Sequence, residues 1–192
     1  MKFNQLGKLV ILLGGFIALI PATVSAGTDS GFYVGGGIGD TSIEAKNTTP
    51  NAANWNIDGG GSAYKLFGGF NFGIIPLIDI AVEGSYVDFG DASGNITGGG
   101  SAKVDVTGYD AFGLVGLSFG PFGIFAKAGV IDWSVDKTIS GVGSSDSGSD
   151  GAYGVGVRFA FAKFSIRAEY EAFDVGALEA LTLSTVSLLY TF

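Results

Sequence analysis

From Gly31 onward, apolar residues alternate with small or polar ones along almost the whole of this 192-residue chain. A strand points successive side chains to opposite faces, whereas an amphipathic helix repeats every 3.6 residues, so this period predicts strands. No helical repeat competes with it. About eight segments emerge: Gly31 to Ile43, Ala63 to Phe72, Leu77 to Val87, Val104 to Phe119, Phe122 to Trp133, Ala152 to Phe161, Phe164 to Phe173 and Leu181 to Phe192. The linkers between them alternate in length. Glu44 to Ser62, Asp88 to Lys103 and Ser134 to Gly151 are long, Gly73 to Pro76, Gly120-Pro121 and Ala162-Lys163 are short, and Asp174 to Ala180 is intermediate. Short turns then gather at one end and long connections at the other, the layout of an all-β, up-and-down antiparallel barrel of about eight strands. Pro50, Pro76 and Pro121 all fall in linkers, where a missing N–H breaks no ladder bond.

Alternation alone does not say which face looks inward, so a soluble calyx and a transmembrane barrel both fit at this step. Residue identity separates them. One face carries Val34, Leu66, Ile80, Val115, Ile124, Val155, Ile166 and Leu188 together with most of the aromatics. Six of the seven tyrosines share it, Tyr33 being the exception. Tyr64, Tyr86, Tyr109, Tyr153 and Tyr170 lie toward the long-linker end, whereas Phe32, Phe72, Phe119, Phe161, Phe164 and Phe192 lie toward the short-turn end. Amphipathic rings collect at a headgroup boundary, and a core-filling stripe has no reason to sort by height, so these are read as two membrane girdles. The opposite face combines glycine with charge: Lys65, Lys127, Arg158 and Arg167 against Glu83, Asp110, Glu169 and Glu171, four of each sign. An eight-stranded barrel has an interior that side chains just fill, and a buried charge needs a partner, so an internal ion-pair network is expected. An ion path lined by the same residues is the alternative.

Composition narrows the function classes. Glycine numbers 34, yet proline is held to 4 and no triplet repeat is present, so the glycine serves a packed fold. The absence of cysteine excludes disulfides and thiolate metal sites, and the absence of histidine removes the usual metal ligand and general base. No cofactor and no metal site are expected, and the chain reads as a non-enzyme. A net charge of -8 argues against a nucleic-acid partner. Met1 to Lys8 carries two lysines, Leu9 to Ile20 is apolar, and Val24-Ser25-Ala26 supplies small residues, so 1–26 read as a cleaved signal peptide and 27–192 as one barrel domain.

Lys65-Leu66-Phe67-Gly68-Gly69-Phe70, Val82-Glu83-Gly84-Ser85-Tyr86-Val87-Asp88-Phe89-Gly90-Asp91, Ala152-Tyr153-Gly154-Val155-Gly156-Val157-Arg158 and Ser165-Ile166-Arg167-Ala168-Glu169-Tyr170 resemble strands of OmpA-like outer-membrane barrels, the porin-like β-barrel domain of Gram-negative bacteria. The likeness spans most of 27–192 and ends on Leu188-Leu189-Tyr190-Thr191-Phe192. It implies a location in the outer membrane and contact with its lipid and lipopolysaccharide. Glu83, Arg158, Arg167 and Glu169 would form a salt-bridge network, and the terminal strand, with Tyr190 and Phe192, would be read by the outer-membrane assembly machinery. A monomer is expected. The sequence stops at Phe192, so the peptidoglycan-binding domain of longer members is not expected.

Sharper motifs lose to plainer readings. Gly35-Gly36-Gly37-Ile38-Gly39 has no helix after it to make a nucleotide loop, and Asp146-Ser147-Gly148-Ser149-Asp150-Gly151 lacks the ligand spacing and distal glutamate of a calcium loop. Glu169 and Glu171 sit beside Arg167, which favours ion pairing over glycosidase chemistry. Asn47-Thr48-Thr49 and Asn95-Ile96-Thr97 mark exposed loops. The long linkers hold most of the net negative charge, and their ligand is not legible; Trp55 and Trp133 are open as sugar-binding or adhesive aromatics.

Overall fold

The computed structural model describes residues 30–46, 56–75, 77–95, 101–139 and 141–192. The signal-peptide segment, Pro50, Trp55, Pro76 and the first sequon lie outside them, as do Ile96 and Thr97 of the second. Eight strands follow in order: β1 Gly31–Lys46, β2 Asn56–Ile75, β3 Ile78–Asn95, β4 Ser101–Phe119, β5 Phe122–Ile139, β6 Val142–Phe161, β7 Phe164–Phe173 and β8 Ala180–Thr191. Each pairs antiparallel with the next, and β8 returns to β1, closing the barrel. No helix among the described residues is long and apolar enough to cross a membrane.

The short turns are as tight as the linkers imply. Ile75 pairs with Ile78, Phe119 with Phe122 and Phe161 with Phe164, with left-handed backbone at Leu77 (φ 68°), Gly120 (φ 61°) and Ala162 (φ 51°). Two-residue hairpins need such a residue because only those turns match the strand twist. The long end differs from expectation. Much of Glu44 to Ser62, Asp88 to Lys103 and Ser134 to Gly151 continues as strand, and Ile139 pairs with Val142 across a two-residue turn bearing Gly141 at φ 85°.

The reason is an inversion of the hydrophobic phase. Within the lower part of β5, Ile124, Ala126 and Val130 face out and Lys127 faces in; above it Ile131, Trp133 and Val135 are buried while Asp132, Ser134 and Asp136 are exposed. The same switch occurs between Tyr109 and Val106 on β4, between Tyr86 and Val87 on β3, and between Val186 and Leu183 on β8. The outward-facing residues change from apolar to polar there, and the inward-facing ones change in the opposite sense. A strand read by one continuous phase therefore ends too early. The outward-facing tyrosines stand at this crossing: Tyr86 pairs with Tyr109, and Tyr109 with Asp132. From Tyr109 down to Phe119, strand rise and tilt give a band about 25 Å tall, the height of an outer-membrane slab.

Candidate functional site

The interior is the candidate site, and it is built in layers. Nearest the short turns, Arg158 on β6 donates from Nη2 to Asp79 Oδ2 on β3 and to Ser118 Oγ on β4, each at 2.9 Å, and Ser118 also donates to Asp79. A cavity of about 140 Å³ opens above this cluster, lined by Tyr33, Asp79, Leu114, Phe125, Arg158 and Arg167.

The main ion layer follows, at mid-height of the apolar outer band. Arg167 Nη1 lies 2.6 Å from Glu83 Oε2, which also accepts from the Tyr33 hydroxyl at 2.9 Å. Lys65 Nζ meets Glu171 at 2.8 Å, and Lys127 Nζ meets Glu171 at 2.7 Å and Glu169 at 2.8 Å. Longer contacts of 3.8 Å tie Lys65 and Lys127 to Glu83. Asp110 accepts from Ser85 beside this group. β2, β3, β5 and β7 thus each project charge to one level, because their registers place lumen-facing positions there at every second residue. These side chains are almost wholly buried, so each charge depends on its partners for solvation.

Aromatic rings complete the layer. Arg167 is caged by Tyr33, Phe67 and Phe125 with its guanidinium carbon 5.1–5.3 Å from their centroids, and Lys127 Nζ lies 4.6 Å over Phe112. Each of these rings has a glycine for a register partner: Tyr33 with Gly69, Phe67 with Gly35, Phe125 with Gly156, Phe112 with Gly129. At Gly35, Gly69 and Gly156 an added Cβ would run into the facing ring. The glycine richness of the chain is, in this layer, the space that aromatic rings need to lie flat across the wall.

Above the ion layer the interior turns apolar. Ile43, Val87, Phe89, Val104, Val106, Ile131, Trp133, Val135, Phe173, Leu181 and Leu183 are the upper part of a buried apolar cluster that continues down past the charges through Phe67, Phe112 and Leu114, with Phe89 and Phe173 edge to face at 4.9 Å. Trp133, a candidate surface aromatic by sequence, belongs to this core: its ring lies across Gly148, and Nε1 donates to Asp150 Oδ2 at 2.7 Å. The same carboxylate accepts from Gly176 N at 3.1 Å, tying the 174–179 connection to β6. Outside the membrane band, Lys103 is held above the ordinary lysine range chiefly by its hydrogen bond to Asp105 at 3.1 Å.

Of the eight charged residues singled out by sequence, six are joined by ion pairs in one layer, and Asp110 lies beside them on Ser85. Arg158 sits a layer below with Asp79, which the alternation placed on the lumen face but which sequence reasoning passed over. Tyr33 was visible as the one tyrosine out of phase, and the caging phenylalanines were marked only by the glycines opposite them. Among the outer aromatics, Tyr64 and Tyr86 rings are 6.2 Å apart and Tyr86 and Tyr109 5.2 Å, while Tyr153 and Tyr170 are exposed on β6 and β7. At the other rim Phe72 packs on Phe70, Phe119 and Phe161 are exposed, and Phe164, Tyr190 and Phe192 meet edge to face in series. Asp146 pairs with Lys137 at 3.0 Å rather than standing in a loop, and among the described residues no group of three or more His, Cys, Asp or Glu is placed to hold a metal ion.

The sequence model described as outer membrane protein beta-barrel domain matches residues 9–192. In fold, the chain is similar to the neisserial surface protein A (TM-score 0.54, 13% identity, 85% of this chain and 99% of that one). It is also similar to the attachment invasion locus protein Ail of Yersinia pestis, solved with the heparin analogue sucrose octasulfate (0.52, 18%, 84% and 99%). The N-terminal barrel of OprF from Pseudomonas aeruginosa gives 0.51 at 13% identity over 84% and 98%. No curated protein matches by sequence.

Proposed function

Because the chain belongs to the outer membrane protein beta-barrel domain family, we propose that it is a non-catalytic, surface-displayed barrel of the Gram-negative outer membrane whose lumen is closed by its own side chains. The observation that carries this reading is the stacking of two unlike fillings, a paired ion layer within the membrane band and an apolar core above it. An ion entering from the long-strand end would have to cross the apolar core without water, and one entering from the turns would have to displace Arg167 from Glu83. The outer band supports the lipid setting over a soluble calyx: Leu66, Val115, Val155 and Leu188 are each more than half exposed, a contiguous apolar belt that water does not tolerate on a monomer.

In this reading residues 1–26 direct export and are removed, lipid and lipopolysaccharide surround the barrel as a monomer, and Tyr190 with Phe192 presents the last strand to the assembly machinery. Sucrose octasulfate, the polyanion seen with Ail, is not carried over, because the long-strand end here is acidic. The test is single-channel current after insertion has been verified by protease protection. Silent bilayers are expected. Reproducible openings whose size changes with Lys127→Glu or Glu83→Lys would overturn the closed lumen and establish a narrow porin. That second reading draws on the 140 Å³ cavity and on Thr185 and Ser187, whose buried hydroxyls have no protein partner among the described residues and are natural sites for internal water.

A further inference from the structure

The wall of the barrel has a notch. β5 and β6 pair without a break up to Ile139 and Val142, whereas β7 begins to pair with β6 only at Ala152 and Phe173. Residues 142–149 of β6 therefore have β5 on one side and, among the described residues, no strand on the other. The direction of their backbone groups follows from one bond: Asp174 N donates to Gly151 O at 2.9 Å, so Gly151 faces the β7 side. With period two, Ser149, Ser147, Ser145 and Gly143 aim their N–H and C=O groups the same way, above the end of β7. Among the described residues none of these groups has a backbone partner there.

Natural edges are usually blunted by lysine, proline, a bulge or a covering segment. This one runs Gly143-Ser144-Ser145-Asp146-Ser147-Gly148-Ser149 in unbroken register, with no lysine, proline or bulge, and its side chains are small. At its foot lies a cavity of about 430 Å³ lined by Asp150, Tyr153, Asp174, Glu179 and Thr182 among others. Asp132, Asp136 and Asp146 flank the edge, against the single cation Lys137. Such a field repels a second copy of the same edge and attracts a cationic chain.

We propose that the open edge of β6 is a docking site for an extended, cationic polypeptide, which adds as a strand antiparallel to β6, fills the notch above β7 and β8, and sets a basic side chain into the carboxylate-lined cavity. Main-chain pairing supplies the affinity, and the aspartates select charge. The proposal rests on the reading that the long-strand end is displayed outside the cell, but not on whether the lumen conducts, so the two can fail separately.

The test uses the folded chain in lipid nanodiscs and a labelled ten-residue peptide alternating lysine with threonine. Its control is the same peptide N-methylated on alternate backbone nitrogens, equal in charge but unable to pair. The unmodified peptide is expected to bind at least tenfold more tightly and to slow amide hydrogen exchange at Ser145, Ser147 and Ser149 at least tenfold. Ser147→Pro removes an outward N–H while sparing the bonds to β5, so it should weaken binding at least tenfold with the heat-modifiable gel mobility of the barrel unchanged. Equal binding of both peptides, or binding indifferent to Ser147→Pro, would reduce the effect to charge and overturn the proposal. So would slowed exchange without peptide that rises with protein density in the disc, which would assign the edge to a second copy.

Discussion

At the scale of single residues, the interior is governed by what each buried charge loses when a neighbour is removed. Glu83 serves Arg167, Tyr33 and, at longer range, two lysines. Glu83→Ala leaves the guanidinium buried without its nearest anion and should cost about 3–5 kcal/mol, measured by urea unfolding in vesicles. Glycine positions should split by what faces them. Gly156→Ala forces the Phe125 ring off its seat and should cost about 1–3 kcal/mol, whereas Gly143→Ala, with nothing near the new methyl, should stay within about 0.5 kcal/mol. The sequence carried the charges of this layer legibly, since parity alone puts Lys65, Glu83, Lys127, Arg167, Glu169 and Glu171 on one face. It did not carry their heights. Arg158 shares that face but sits a layer lower, because the level of a residue depends on strand stagger, which only the pairing register fixes.

At the scale of strands and turns, the short hairpins were legible and the long ones were not, for one physical reason. Gly120-Pro121 and Ala162-Lys163 are bounded by phenylalanines on both sides, so the alternating phase runs up to the turn and stops. At the other end the phase inverts at the tyrosines, and Ser134 to Gly151 looks like a linker although most of it is strand. The inversion makes the two sides of β4 respond oppositely to charge. Val115→Arg, on the outer face within the band, should destabilise by about 2–4 kcal/mol in bilayers, while Thr107→Arg, beyond the inversion, should be near neutral in the same unfolding assay. Gly120→Ala isolates the backbone contribution of a turn: no atom crowds the position, so the left-handed φ alone should cost about 1 kcal/mol.

At the scale of the whole molecule, the two faces of the wall exchange character at one height. Below the tyrosines, lipid-facing side chains enclose an ion layer; above them, polar side chains enclose an apolar core. The proposed closure of the lumen and the proposed display of the β6 edge both depend on that boundary lying where Tyr86, Tyr109 and Asp132 are in register. The chain has no cysteine, so single cysteines can be placed along β5 without background. The most direct measurement is spin-label accessibility at Ile124, Ala126, Ala128, Val130, Asp132, Ser134 and Asp136 in reconstituted barrels. Preferential oxygen access from Ile124 to Val130, changing to preferential access for a water-soluble nickel reagent from Asp132 upward, is the predicted result. Nickel access along the whole strand, or oxygen preference continuing to Asp136, would contradict it.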